Sequence, residues 1–308
     1  MARFIPERPL YRKERLWVGF PLLAVFALLF LYRMLEHYLP LFAGNLWIGM
    51  LAVPAALLLP ALIFFFVRGQ GYSRRVRFKG MHGLHVPLLL TALPALLSGS
   101  LLLSVLCGGI DKMGNTVLPY AELSFTDPIQ VILFTVTMAI LPALLEEFVF
   151  RGIAMAEYER RGAVRAVVMS ALLFSLAHFD LRNLLSHLFV GVLMALLLFA
   201  TDTLLAPILV HASYQVLLLF CHRYISALYR FTGGMELFLF VLIVVLLASL
   251  ALFFRFAAML YRRREQRGSP APVRQVPWNV QFYTILDALI DPPAVLCTVI
   301  AIFGFIFL

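Results

Sequence analysis

The chain has little charge. Only 13% of its 308 residues are Asp, Glu, Lys or Arg, against about a quarter in a soluble domain. Apolar residues make up 63% and mean hydropathy is +0.95, which excludes a water-soluble globular domain. Cysteine is scarce. Cys107, Cys221 and Cys297 are far apart, lie in apolar runs and lack metal-ligand spacing, so small core residues are expected. No H-E-x-x-H occurs, which counts against a zinc peptidase motif. There is no internal repeat and no low-complexity tract, so residues 1–308 read as one integral membrane domain. The net charge of +9 does not point to nucleic acid, because the basic residues form short clusters between apolar runs. That is the pattern of cytoplasmic loops facing anionic lipid.

The apolar runs predict an all-α, polytopic transmembrane bundle of about eight spans. These are about 16–35, 46–67, 86–107, 128 onwards, 163–179, 184–200, 204–221 and 237–260. Ser98-Gly99-Ser100 supplies small residues for close helix packing in the third span. A short ninth run, Pro293–Leu308, stands at the lower limit for a crossing. Residues 261–292 read as a cytoplasmic linker with Pro270 and Pro272, followed by a helix at the membrane interface. The N-terminal run reads as a retained helix, because no small-x-small cleavage site follows it. With the N-terminus cytoplasmic and eight alternating helices, the cytoplasmic segments hold 18 of the 25 Lys and Arg. That asymmetry supports the orientation.

Three charges break the fourth apolar run: Glu146, Glu147 and Arg151. Each costs about 3 kcal/mol or more at membrane depth, so a role is expected. On a helix Glu147 and Arg151 lie one above the other and can pair. Glu146 is then left without a local partner, in surroundings that disfavour its charge, which suits a general base. The helical pattern continues past Arg151 to about Arg160, and Gly162 is a plausible stop. Two further polar clusters interrupt apolar runs, Phe174-Ser-Leu-Ala-His178 and His211-Ala-Ser-Tyr-Gln215. His37, His82, His85 and His222 lie at loops or helix ends and read as packing residues; His187 stays unassigned. A hairpin turning at Gly162 places Glu146 and His178 sixteen residues either side of the turn. Both are then about 24 Å from it, at one height. A glutamate and a histidine so placed can share a water and remove its proton. His211 and Gln215, four apart on one face, can donate to a developing oxyanion.

Glu146-Glu147-x-x-x-Arg151, Phe174-x-x-x-His178 and His211-x-x-x-Gln215, in that order and all in apolar helices, resemble the three motifs of the CPBP family. This is the family of type II CAAX prenyl proteases and bacteriocin-processing enzymes, also called ABI proteins. The resemblance covers about residues 128–221. It implies an intramembrane endopeptidase of glutamic type acting on a peptide or protein substrate held at the bilayer. By that resemblance Glu146 is the base and His178 its partner. His211 is an oxyanion donor, and Glu147 with Arg151 orients the site. The setting implied is a bacterial plasma membrane. Gln215 stands where the family usually has asparagine, which keeps the amide donor on a chain one methylene longer.

Other readings compete. Glu147 and Arg151 suit a buried ion pair that holds helices in register. Glu146, Glu147 and His178 could relay protons in a transporter, although no inverted repeat is visible. A catalytically silent scaffold or bacteriocin self-immunity protein would carry the same motifs. No cofactor is expected. Zinc held by Glu146, His178 and His211 is the alternative to metal-independent hydrolysis.

Overall fold

The computed structural model describes residues 18–42, 46–69, 72, 75–108, 127–266 and 277–308. The basic segment 1–15, Arg74, most of the acidic loop 108–127 and the linker prolines Pro270 and Pro272 lie outside the described residues. Among the described residues there is no strand. The helices run in chain order as α1 (Gly19–Tyr38), α2 (Leu46–Arg68), α3 (Val86–Leu106), α4 (Pro128–Arg161), α5 (Ala163–Leu176), α6 (Leu184–Thr201), α7 (Leu205–Phe231), α8 (Met235–Gln266), α9 (Trp278–Leu289) and α10 (Pro292–Phe307). By length and composition six of the described helices can cross a membrane, or up to eight if each of two bent pairs forms one span. The chain is a polytopic helical bundle.

α3 packs along α8 and α6, α5 along α6, and α1 along α2 and α10. α4 lies against α2 and α7, and α9 covers part of α5 before bending by 60° into α10. The core runs between these helices. It includes Phe26, Leu57, Leu88, Leu96, Met155, Met169, Phe174, Met194 and Leu197. Arg151 and Arg165 are among its largest fully buried side chains. Of the three cysteines only Cys297 is buried. Cys107, expected in the core, is exposed at the end of α3.

α4 begins at Asp127, whose side chain accepts a hydrogen bond from the Ile129 N–H at 2.9 Å, with Pro128 in the first turn. It then runs to Arg161, as the pattern predicts. Two stretches of it are π-helical, Val136–Ile140 and Phe148–Ala154. Neither is visible in the periodicity. The first holds Met138, whose carbonyl loses its helical donor to Pro142. Widening the turn there accommodates the proline ring. The second begins directly after Glu147 and contains Arg151, and such turns recur at functional sites.

α4 ends at Gly162, with φ 138° and ψ 151°. That region of backbone space is essentially open to glycine alone, so the hairpin into α5 depends on it.

α5 departs from expectation. The fifth apolar run predicts a helix to about Phe179, but α5 stops at Leu176 after 14 residues, too short for a crossing. His178, expected within an apolar helix, is therefore outside it. It sits in the turn just beyond the helix. Phe179 has φ 53°, a backbone conformation unusual for a non-glycine residue. Its ring occupies the space that Gly304 of α10 leaves open, where an added Cβ would come within 2.4 Å. Asp180 closes the turn, accepting from the Asn183 N–H at 3.1 Å and from its side-chain amide at 2.7 Å. Ser175 donates to the Leu184 carbonyl at 2.6 Å. Polar backbone at this depth needs such partners.

α6 returns against α5 with Gly191 facing Ala171. A Cβ at Gly191 would lie 2.8 Å from the Ala171 Cα, so the two backbones touch, as small residues permit.

Candidate active site

Four helices converge below the Gly162 hairpin. α4 carries Glu146, Glu147 and Arg151, and α5 with its turn carries Phe174 and His178. α6 contributes His187 and the Gly191 carbonyl, and α7 contributes His211 and Gln215.

Glu147 and Arg151 form the expected pair, with Arg151 Nη1 donating to Glu147 Oε1 at 2.9 Å and both side chains fully buried. The same Glu147 oxygen lies 2.7 Å from His211 Nδ1. A carboxylate in this ion pair only accepts, so His211 presents Nδ1–H to it. The second Arg151 terminal nitrogen donates to the Gly191 carbonyl at 3.2 Å. One carboxylate thus joins α4 to α7, and one guanidinium joins α4 to α6. Burying such a group without partners is costly, and this network is what makes it tolerable.

Fixing Nδ1–H on Glu147 turns His211 Nε2 the other way. It lies 3.7 Å from Glu146 Oε2 and 3.4 Å from the Gln215 amide nitrogen. Glu146 Oε2 is buried and has no hydrogen-bond partner among the described residues. Glu147 Oε2 is likewise buried and without a hydrogen-bond partner among the described residues, so the two adjacent carboxylates differ only at their other contacts. Glu147 Oε1 is engaged by an arginine and a histidine at hydrogen-bond distance, whereas Glu146 meets the same histidine at 3.7 Å.

His178 is held in the same manner as His211. Its Nδ1 is 2.8 Å from the Phe174 carbonyl, which can only accept, so Nε2 carries the lone pair. Its ring stacks on His187 with centroids 3.9 Å apart and planes 18° from parallel.

Phe174 is the common wall of the site. The Arg151 guanidinium lies 4.2 Å above its ring, a cation–π contact strengthened by burial. His178, His211, His187 and Phe150 meet its edges or faces at 4.7, 5.9, 6.5 and 5.5 Å between centroids.

All seven residues singled out in the sequence thus fall in one connected cluster. Glu146, Glu147, Arg151, His211 and Gln215 are joined by short polar contacts, and His178 is linked through Phe174. The contact the structure gives Glu146 is to His211. Two features escape the sequence. His187 carries no signal beyond being a histidine in the first turn of an apolar helix. The Glu147–His211 bond spans 64 positions and no local spacing encodes it. Among the described residues no group of three or more His, Cys, Asp or Glu is placed to hold a metal ion. The zinc set Glu146, His178 and His211 is not among such groups.

No curated protein and no solved structure matches the chain. Residues 128–217, from the start of α4 to just past Gln215, match the model of the family described as type II CAAX prenyl endopeptidase Rce1-like, so the segment that carries all three polar motifs is Rce1-like.

Proposed function

We propose that the chain is an intramembrane endopeptidase in which Glu146 activates a water to attack a peptide bond. The Rce1-like segment supports a protease acting on a peptide or protein substrate. The observation that carries the glutamate mechanism is the contrast between the two neighbouring carboxylates: Glu147 Oε1 is held by Arg151 and His211, whereas Glu146 Oε2 is unbonded and 3.7 Å from His211 Nε2.

In this reading Glu146 takes a proton from water held near the free Nε2 of His178. The hydroxide adds to the scissile carbonyl. His211 keeps Nδ1–H on Glu147 and turns its Nε2 edge toward the oxyanion, with the Gln215 amide as a donor beside it. Arg151 balances Glu147. Glu146 then passes its proton to the leaving amine, so acid and base duties fall to one group.

The test is cleavage of a peptide library by the full chain in proteoliposomes, followed by mass spectrometry. Glu146→Gln should lower turnover by about 1,000-fold without changing unfolding. Full activity of a folded Glu146→Gln protein would remove Glu146 from the mechanism.

A further inference from the structure

A second polar centre lies away from the hydrolytic cluster, where α2 and α4 end. Glu157, on the last turns of α4, is buried to 1% exposure. Arg68, the last residue of α2, donates to it at 2.9 Å. Arg75 and Arg160 approach the same carboxylate at 3.8 and 3.7 Å. The guanidiniums of Arg68 and Arg75 alone carry more N–H donors than one carboxylate can accept.

These arginines and Tyr72 line an open cavity of about 310 Å³. Arg75 and Arg160 are 51% and 44% exposed, whereas Arg68 is 28% exposed. Two buried atoms of the centre, Arg68 Nε and Glu157 Oε1, have no hydrogen-bond partner among the described residues. Tyr72 forms the floor, its hydroxyl donating to the Ile153 carbonyl at 3.2 Å and its ring packed edge-on against Phe64. Burial, then the nearby Glu157 charge, push the Tyr72 hydroxyl well above its ordinary range, so it remains a donor.

The depth of the centre is set by the chain. α2 is apolar up to Arg68 and exposes Ile63, Phe66 and Val67 at 65, 79 and 77%. These three lie three and four residues apart, on one face of the helix. Arg68 instead lies over the ring of buried Phe64, 5.5 Å from its centroid, so the guanidinium projects from the packed side of α2 and the exposed strip occupies the other side.

We infer that this cavity binds a phosphate group, carried by an anionic phospholipid headgroup or free in solution. A guanidinium fork matches phosphate oxygens in a bidentate manner. Basic pockets between helix ends at the headgroup level are built for such a group.

Native mass spectrometry of the full chain in neutral detergent tests this with dioleoylphosphatidylglycerol, dioleoylphosphatidylcholine and inorganic phosphate as separate probes. The wild type should retain one phosphatidylglycerol and release phosphatidylcholine. Arg75→Ala with Arg160→Ala should weaken retention on the order of 30-fold, and the two lysine replacements should recover part of it. Arg68 stays in place in these variants, so Glu157 keeps its nearest partner, and an unchanged unfolding temperature without lipid checks the fold. Arg262→Ala with Arg263→Ala removes the same charge from exposed positions on α8 and should leave retention unchanged. Equal retention by the Arg75/Arg160 variant, or equal loss in the α8 control, overturns the inference. Stabilisation by inorganic phosphate without lipid retention overturns the lipid source and assigns the anion to soluble phosphate.

Discussion

Replacing Arg151 by Met tests whether the buried network holds the site together. The side chain is fully buried, and Met has a similar unbranched shape without charge. The change removes the 2.9 Å bond to Glu147, the 3.2 Å bond to the Gly191 carbonyl and the cation–π contact with Phe174. Taking one partner from a buried pair typically costs about 3–5 kcal/mol, mainly because the other charge is left behind. Here His211 still donates to Glu147, which argues for the lower end, about 3 kcal/mol. Glu147→Gln in the same background removes that stranded charge, and its amide oxygen still accepts from His211 Nδ1. The double variant should therefore be more stable than Arg151→Met alone, with a coupling of about 2 kcal/mol or more. Reversible unfolding in mixed micelles, followed for wild type, both single variants and the double variant, yields that coupling. A cost below about 1 kcal/mol for Arg151→Met, or a double variant no better than the single, would refute the reasoning.

Turnover in proteoliposomes should be retained or raised in Gln215→Asn, whereas Gln215→Ala, losing a donor, should slow it by about 100-fold. An unchanged rate in the alanine variant would take Gln215 out of the oxyanion site. Gly162→Ala should cost about 1–3 kcal/mol through its backbone conformation. The nearest side-chain atom, on Gln281, is 3.7 Å from the added methyl, so crowding contributes little, and unfolding in micelles reads the loss. Gly191→Ala should cost about 1–3 kcal/mol by forcing α6 off the Ala171 backbone. It should also lower turnover, because the Gly191 carbonyl orients Arg151.

The Glu147–Arg151 pair was legible because a spacing of four is one helical turn. The extension of α4 to Arg161 was legible because apolar spacing persists to Gly162. The end of α5 was not. Leu176-Ala-His-Phe179 is apolar enough to continue a helix, and what stops it is tertiary, namely the Phe179 ring lodging at Gly304 and the Asp180–Asn183 turn. The π-helical turns were hidden for a different reason, since one inserted residue shifts the face without disturbing composition. His187 and the Glu147–His211 bond depend on which helices become neighbours, and a single chain does not encode that in any local spacing. His178 shows the mixture well. Its membership of the site was readable from Phe174, four residues away, yet its position in a turn was not.

The brevity of α5 bears on how far a substrate must be unwound. Fourteen residues rise about 21 Å, whereas the hydrocarbon layer is about 30 Å thick. With Gly162 at one edge, the His178 turn stops about 9 Å short of the other. Quenching of a spin label at exposed Leu181 by water-soluble and lipid-soluble reagents reads that depth directly. Three residues of extended polypeptide cover about 10 Å. On the proposed function, a peptide entering from that far side would thus need only a few unpaired backbone amides to bring its scissile bond level with His178.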